Sequence, residues 1–282
     1  MSHPSLLSFQ RHLIAQGRRP GTVDSYGGII ERFLRWDGAP SGASMPERAY
    51  AFLVERANQS RISSSWYNVN YHAMLAWLEM HGESVDLRGL KPQRVALQPP
   101  RWFTRDEARR LLASVEQRHF RMVFQVMMAT GLRVSEALAL EVGDLDRERP
   151  LLRVRCGKGG DGRLVPLPDT LRERLRDYWR SFRPRGVLFQ RSPGVDDRPM
   201  LAATVNAALR RAALQAGFTE RVSSHRLRHT FAIHSLRGGM DIVTLQQVLG
   251  HRCLQSTVRY LTPDLVRPGK QVDLLADLGV AP

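Results

Sequence analysis

Residues 224–260 read SHRLRHTFAIHSLRGGMDIVTLQQVLGHRCLQSTVRY. His225, Arg228, His251 and Tyr260 fall within this one stretch, and its turn signals predict helices at about 225–236, 242–249 and 254–260. A spacing of three sets His225 and Arg228 on one face of a helix. The fork of a guanidinium suits the non-bridging oxygens of a phosphodiester, and imidazoles donate to phosphate or exchange a proton near neutral pH. A tyrosine attacks phosphorus once oriented and relieved of its proton. The stretch therefore reads as the C-terminal half of a phosphoryl-transfer site with Tyr260 as candidate nucleophile. It lacks a second cation and a proton donor.

Both lie upstream. Arg133 stands at a helix start in TGLRVSEAL, where it supplies a second guanidinium. Lys158 stands in CGKGGDG, a glycine-rich hairpin between the alternating segments 151–155 and 163–167. Only three of the 42 basic residues are lysine (Lys91, Lys158 and Lys270), so a lysine kept in this turn points to proton donation, which arginine does poorly. Each residue taken singly has an ordinary reading: backbone-binding arginines, a solvated turn lysine, a core tyrosine. A zinc reading of His225 and His229, four apart, fails because Arg, Leu and Arg intervene and no Glu base follows the first histidine. His229 and His234 are expected to pack or to face solvent.

The 282 residues suffice for one large domain or two modest ones, and 43% hydrophobic with 24% charged describes an ordinary globular protein. The formal charge of +15 is not ordinary and favours a polyanionic partner through counterion release. Cys156 and Cys253 form no ligand cluster, no leader of basic then apolar residues opens the chain, and no apolar run is long enough to span a bilayer. These features fit a cytoplasmic, nucleoid-associated protein. Apolar periodicity predicts four helices over residues 1–88, the second capped by Thr22, with no strand signal. The proline-bearing 89–101 reads as a stiff linker. Residues 102–282 then carry a capping box at Thr104 and Glu107, a nearly all-apolar helix near 120–129, the hairpin, helices near 169–181 and 201–216 with a short strand at 187–189 between them, and an apolar tail helix after Pro268.

The set Arg133, Lys158, His225-x-x-Arg228, Leu249-Gly250-His251 and Ser256-Thr257-x-x-Tyr260, in that order, resembles the tyrosine recombinase (phage integrase) family, including its Xer-like members. The resemblance covers essentially the whole chain. It implies a mostly α fold with a small β-sheet: an N-terminal four-helix, SAM-like DNA-binding domain and a mixed α/β catalytic domain. Every catalytic position is filled by the expected type, and Glu136 matches an acidic position that supports the site. It further implies strand exchange at double-stranded recombination sites through a 3′-phosphotyrosine and a Holliday junction. A homotetramer would act without metal or ATP, with Lys158 protonating the leaving oxygen. The apolar tail helix is expected to dock on a neighbouring protomer. Integration or excision, dimer or cointegrate resolution, and transposition all fit. A type IB topoisomerase-like enzyme and a DNA-binding regulator with an unused catalytic domain are the alternatives.

Overall fold

The structure is a computed structural model, and it describes residues 4–58, 63–83, 87, 89–94, 100–146, 148–155, 162–192 and 196–261. The chain separates into two compact units, residues 1–97 and 98–282.

The first unit contains α1 (Pro4–Ala15), α2 (Pro20–Arg35), α3 (Met45–Asn58) and α4 (Ser64–Met80). The Ser63 hydroxyl accepts from the Trp66 amide and starts α4. α2 begins two residues before the expected Thr22 cap. Pro20 opens it after Arg19, whose side chain makes no cap bond; the ring fixes φ and the missing N–H is one the first turn would leave unpaired anyway. α4 packs against the other three helices. Phe9, Leu13, Ile30, Phe52, Leu53 and Met74 are fully buried between them, with Phe9 edge-on to Trp77 at 5.3 Å.

The second unit is built around one helix. α5 (Arg105–Ala113) opens with the expected reciprocal bonds of Thr104 and Glu107. α6 (Arg118–Thr130) then buries Met122, Val123, Phe124, Val126 and Met127. α7 (Val134–Leu138) is a single turn and a half, and a 3-10 turn (Val142–Asp144) leads to β1 (Leu151–Val154) and β2 (Arg163–Pro166). These strands pair antiparallel, Leu151 opposite Pro166 and Val154 opposite Arg163, so Leu152, Val154 and Val165 face the core. The connecting 156–161, with Lys158 and Cys156, lies outside the described residues. α8 (Asp169–Phe182) follows.

A second hairpin comes next, β3 (Gln190–Ser192) against β4 (Asp196–Pro199). It replaces the strand expected at 187–189, where Val187 makes only an isolated bridge to Glu141. The Asp197 carboxylate accepts from the Val187 amide and the Gln190 side chain, fastening this hairpin through polar bonds. α9 (Ala202–Gln215), α10 (Ser224–Arg237), α11 (Ile242–Leu249) and α12 (Gln255–Val258) complete the unit. α6 packs against α5, α7, α8, α9 and α10. The tail helix expected after Pro268 also lies outside the described residues. Among the described residues no helix is long and apolar enough to cross a membrane.

Candidate active site

Several element ends converge where α10 meets α6 and α11. α6 stops at Gly131, whose φ of 67° lies in the left-handed region. A Cβ there would fall 2.4 Å from the Phe231 ring and 2.8 Å from Leu249, so only glycine lets the turn close this tightly. The carbonyls left over at the buried helix ends are used: Gly131 O accepts from Arg228 Nη1 at 2.7 Å, and Leu249 O, at the end of α11, accepts from Nη2 at 2.8 Å. Arg228 is thereby fixed at 3% exposure.

Glu136 in α7 organises the other two arginines. Its carboxylate accepts from Arg133 Nη1 (2.7 Å) and the Arg133 amide (2.9 Å), and from Arg163 Nη1 (3.1 Å) and Nη2 (2.9 Å). Arg228 Nη1 lies 3.8 Å away. Arg163 spends its Nε on Val248 O at 2.7 Å, which ties the start of β2 to α11. Burial opposes ionisation of Glu136, but the hydrogen bonds from Arg163 and the Arg133 amide win and hold its pKa at about 2. Three guanidiniums thus face one carboxylate. Of the two that Glu136 holds, Arg133 is the more open to an incoming anion, its side chain 39% exposed against 16% for Arg163.

Tyr260 comes from the far side. Asp241 caps α11 by accepting from the Val243 and Thr244 amides, and Gly250 ends it in the left-handed region. Past the short α12, Tyr260 turns into an apolar cluster with Ala232, Ile233, Leu245 and Leu249, and is 2% exposed. Its hydroxyl lies 2.9 Å from His229 Nδ1. The His251 ring lies parallel to the phenol, 6.3 Å away, with its Nδ1 2.8 Å from the Thr257 hydroxyl. His225, exposed at the start of α10, stacks on His229 at 6.4 Å.

Burial among arginines sets the protonation states. Burial first, then Arg259, His225, Arg228 and His251, holds His229 at about 4. Burial, then Arg228, Arg133, Arg163 and Arg259, holds His251 at about 4. His225 is lowered by burial and by Arg228, Arg133 and Arg259. Burial pushes Tyr260 upward, partly offset by Arg228 and Arg259. Burial and Arg133 lower Arg228 to about 10, so it stays charged at neutral pH. The resting site is therefore cationic through its arginines, with neutral imidazoles and a protonated phenol.

Arg133, Arg228, His225, His251, Tyr260 and Glu136 are brought into one neighbourhood, and Lys158 falls outside the described residues. Two participants escaped the sequence reading. His229, expected to pack or face solvent, holds the phenol; its signal was the four-residue spacing from His225, which put both on one helix face. Arg163 shares Glu136 across 27 positions of chain, and no local pattern marks that pairing. His234 does pack, with Nε2 2.9 Å from Phe103 O and its ring edge-on to Trp102. Among the described residues no three His, Cys, Asp or Glu side chains are grouped to hold a metal.

Residues 101–265, the span that contains all of these groups, match the phage integrase family. The chain belongs to that family. It is 32% identical over 266 residues to the tyrosine recombinase XerA of Thermococcus kodakarensis, covering 92% of each chain. It is 33% identical to the tyrosine recombinase XerC of Chromobacterium violaceum, covering 94% of this chain and 92% of that one. In structure it is similar to lambda integrase residues 75–356 solved as a dimer bound to a core site, with a TM-score of 0.73 and 16% identity over 97% of this chain and all of that one. A lambda integrase tetramer bound to a Holliday junction gives a TM-score of 0.75 over 96% of this chain and 80% of that one, at 17% identity. At such identities the two structures show a shared fold, mostly helical with small antiparallel sheets. That is the fold class expected from the sequence.

Proposed function

We propose that this family member is a site-specific DNA recombinase that cuts and rejoins strands through a 3′-phosphotyrosine on Tyr260. The observation that carries the reading is the placement of the Tyr260 phenol against His229 and His251, with Arg228 on the same helix as His229 and Arg133 joined to Arg228 through Glu136. Arg133 and Arg228 would grip the non-bridging oxygens as charge grows on them in the transition state, with His225 and His251 adding donors. Lys158 would protonate the 5′-oxygen as it leaves. The phosphotyrosine ester stores the energy of the broken bond, so rejoining would need neither ATP nor a metal. The freed 5′-hydroxyl then attacks the partner duplex to give a Holliday junction.

Acting on two sites at once implies several protomers, and the dimeric and tetrameric DNA complexes of lambda integrase support a tetramer here. The apolar tail after Pro268 would dock on a neighbouring protomer and couple the subunits. The net charge of +15 favours the DNA backbone as partner.

The test uses a nicked duplex library with a random-sequence core. Incubated with wild-type protein and then denatured, it should yield protein–DNA adducts joined through a 3′-phosphate and carrying a free 5′-hydroxyl. Tyr260→Phe should yield none. Adducts formed equally by the Phe variant would remove Tyr260 as nucleophile, and no wild-type adduct would overturn the recombinase reading. Sequencing the trapped DNA also identifies the target site.

A further inference from the structure

His229 touches the Tyr260 phenol and lies outside the set that binds phosphate. α10 sets it one turn beyond His225, and its Nδ1 points at the phenolic oxygen from 2.9 Å. That distance lies within the reach required of a general base. Arg228 also approaches the same oxygen, and a guanidinium only donates. His229 Nδ1 is therefore the partner of that oxygen able to take its proton. A neutral imidazole can accept there if its Nε2 carries the ring proton.

We propose that His229 Nδ1 takes the Tyr260 proton as the phenolic oxygen attacks phosphorus. The Oη–P bond forms, the P–O5′ bond breaks, the phenol proton passes to Nδ1, and the 5′-oxygen receives a separate proton from the acid on its own side. On rejoining, the 5′-hydroxyl attacks, Tyr260 leaves, and His229 returns its proton. One imidazole thus serves both directions and nothing is consumed. The charged groups facing His229 are Arg228 on its own helix, Arg259 past α12 and, through His225 and His251, the arginines around them. They disfavour imidazolium in the resting protein. A phosphodiester bound between Arg133 and Arg228 brings negative charge next to the ring and raises its affinity for a proton at the moment of attack. His225 is the weaker candidate for this task, because it stands exposed behind His229 in the ring stack.

This inference rests on Tyr260 as nucleophile. Its test is single-turnover cleavage of a trapped target sequence in a suicide duplex, made once with the ordinary 5′-oxygen and once with a bridging 5′-sulfur whose departure needs no proton. His229→Phe keeps a ring but loses the acceptor, and His229→Asn keeps a polar atom near the Nδ1 position. His229→Phe is expected to cleave about 10²–10⁴-fold more slowly on both substrates, with a rate that climbs about tenfold per pH unit toward the phenol pKa. The wild-type rate should rise far less steeply, and His229→Asn should fall between the two. Rescue of His229→Phe by sulfur would move the defect to the leaving-group side and overturn the proposal. So would a wild-type rate and pH profile in both variants. Thermal melting and non-covalent DNA binding establish that each variant is folded, and His229→Asn alone decides the matter if the Phe protein is not. A wild-type protein that forms no adduct would sink the functional reading along with this one, whereas normal cleavage by both variants would sink only the role of His229.

Discussion

Arg228 gives two N–H groups to the carbonyls of Gly131 and Leu249, whereas Tyr260, in the same pocket, hangs from one hydrogen bond to His229 inside an apolar cluster. Displacing Arg228 would strip two carbonyls of their partner and unpair a buried charge, at about 1–3 kcal/mol for each group left unsatisfied. Exposing Tyr260 forfeits apolar burial of about 1.5–3 kcal/mol and at most its one hydrogen bond of about 1 kcal/mol, and the phenol can be solvated afterwards. Arg228 is therefore built to stay in place, and Tyr260, the proposed nucleophile, is built to be delivered.

The sharpest way to break that contrast is Arg228→Lys. A single ammonium cannot reach both carbonyls and a phosphate oxygen together, so cleavage in the trapping assay should fall about 10²–10³-fold while Tyr260 stays where it is. A small effect would mean that the fork geometry is dispensable. Glu136→Gln probes the same half through stability. Its carboxyl is held at about 2 against an ordinary 4.5, so it contributes stability that is complete above pH 4.5 and is lost as pH falls toward 2. The contribution is at most about 3 kcal/mol from that shift, and chemical denaturation across pH should show a flatter acid limb in the Gln variant. An unchanged acid limb would place the loss of stability elsewhere. Thr257→Val addresses the nucleophile half. It removes the partner of His251 Nδ1 and should cost about 1 kcal/mol or less in stability, with a larger proportional loss in cleavage rate. Equal losses in both would make Thr257 a packing residue only.

The fold was most legible where local chemistry settles it. Asp241 and Gly250 bracket α11 at the expected residues, and Thr104 with Glu107 opens α5 as a capping box should. The β3–β4 hairpin was not legible, because Gln190, Arg191, Asp197 and Arg198 show no apolar alternation and the hairpin is fastened by the Asp197 carboxylate instead. Thr22 misled because a good capping residue stood two positions inside a proline start. At the site, residue types and order were enough to bring Arg133, Glu136, Arg228, His251 and Tyr260 together. They could not show that Arg163 reaches Glu136 or that His229 meets a tyrosine 31 positions away, since both pairings exist only once α10, α11 and β2 are packed.

An enzyme that breaks DNA spends most of its time beside sequences it must leave intact. At 2% exposure the Tyr260 hydroxyl is out of reach of a phosphate that merely brushes the surface. If exposing it costs a few kcal/mol, fewer than about one molecule in a hundred stands armed at any instant. Chance encounters with foreign duplex then end before chemistry begins, and only a site that dwells long enough, or that itself favours the armed form, is cut. With Tyr260 as the proposed nucleophile, fidelity would then be partly a matter of waiting time, set by the apolar seat of a single side chain.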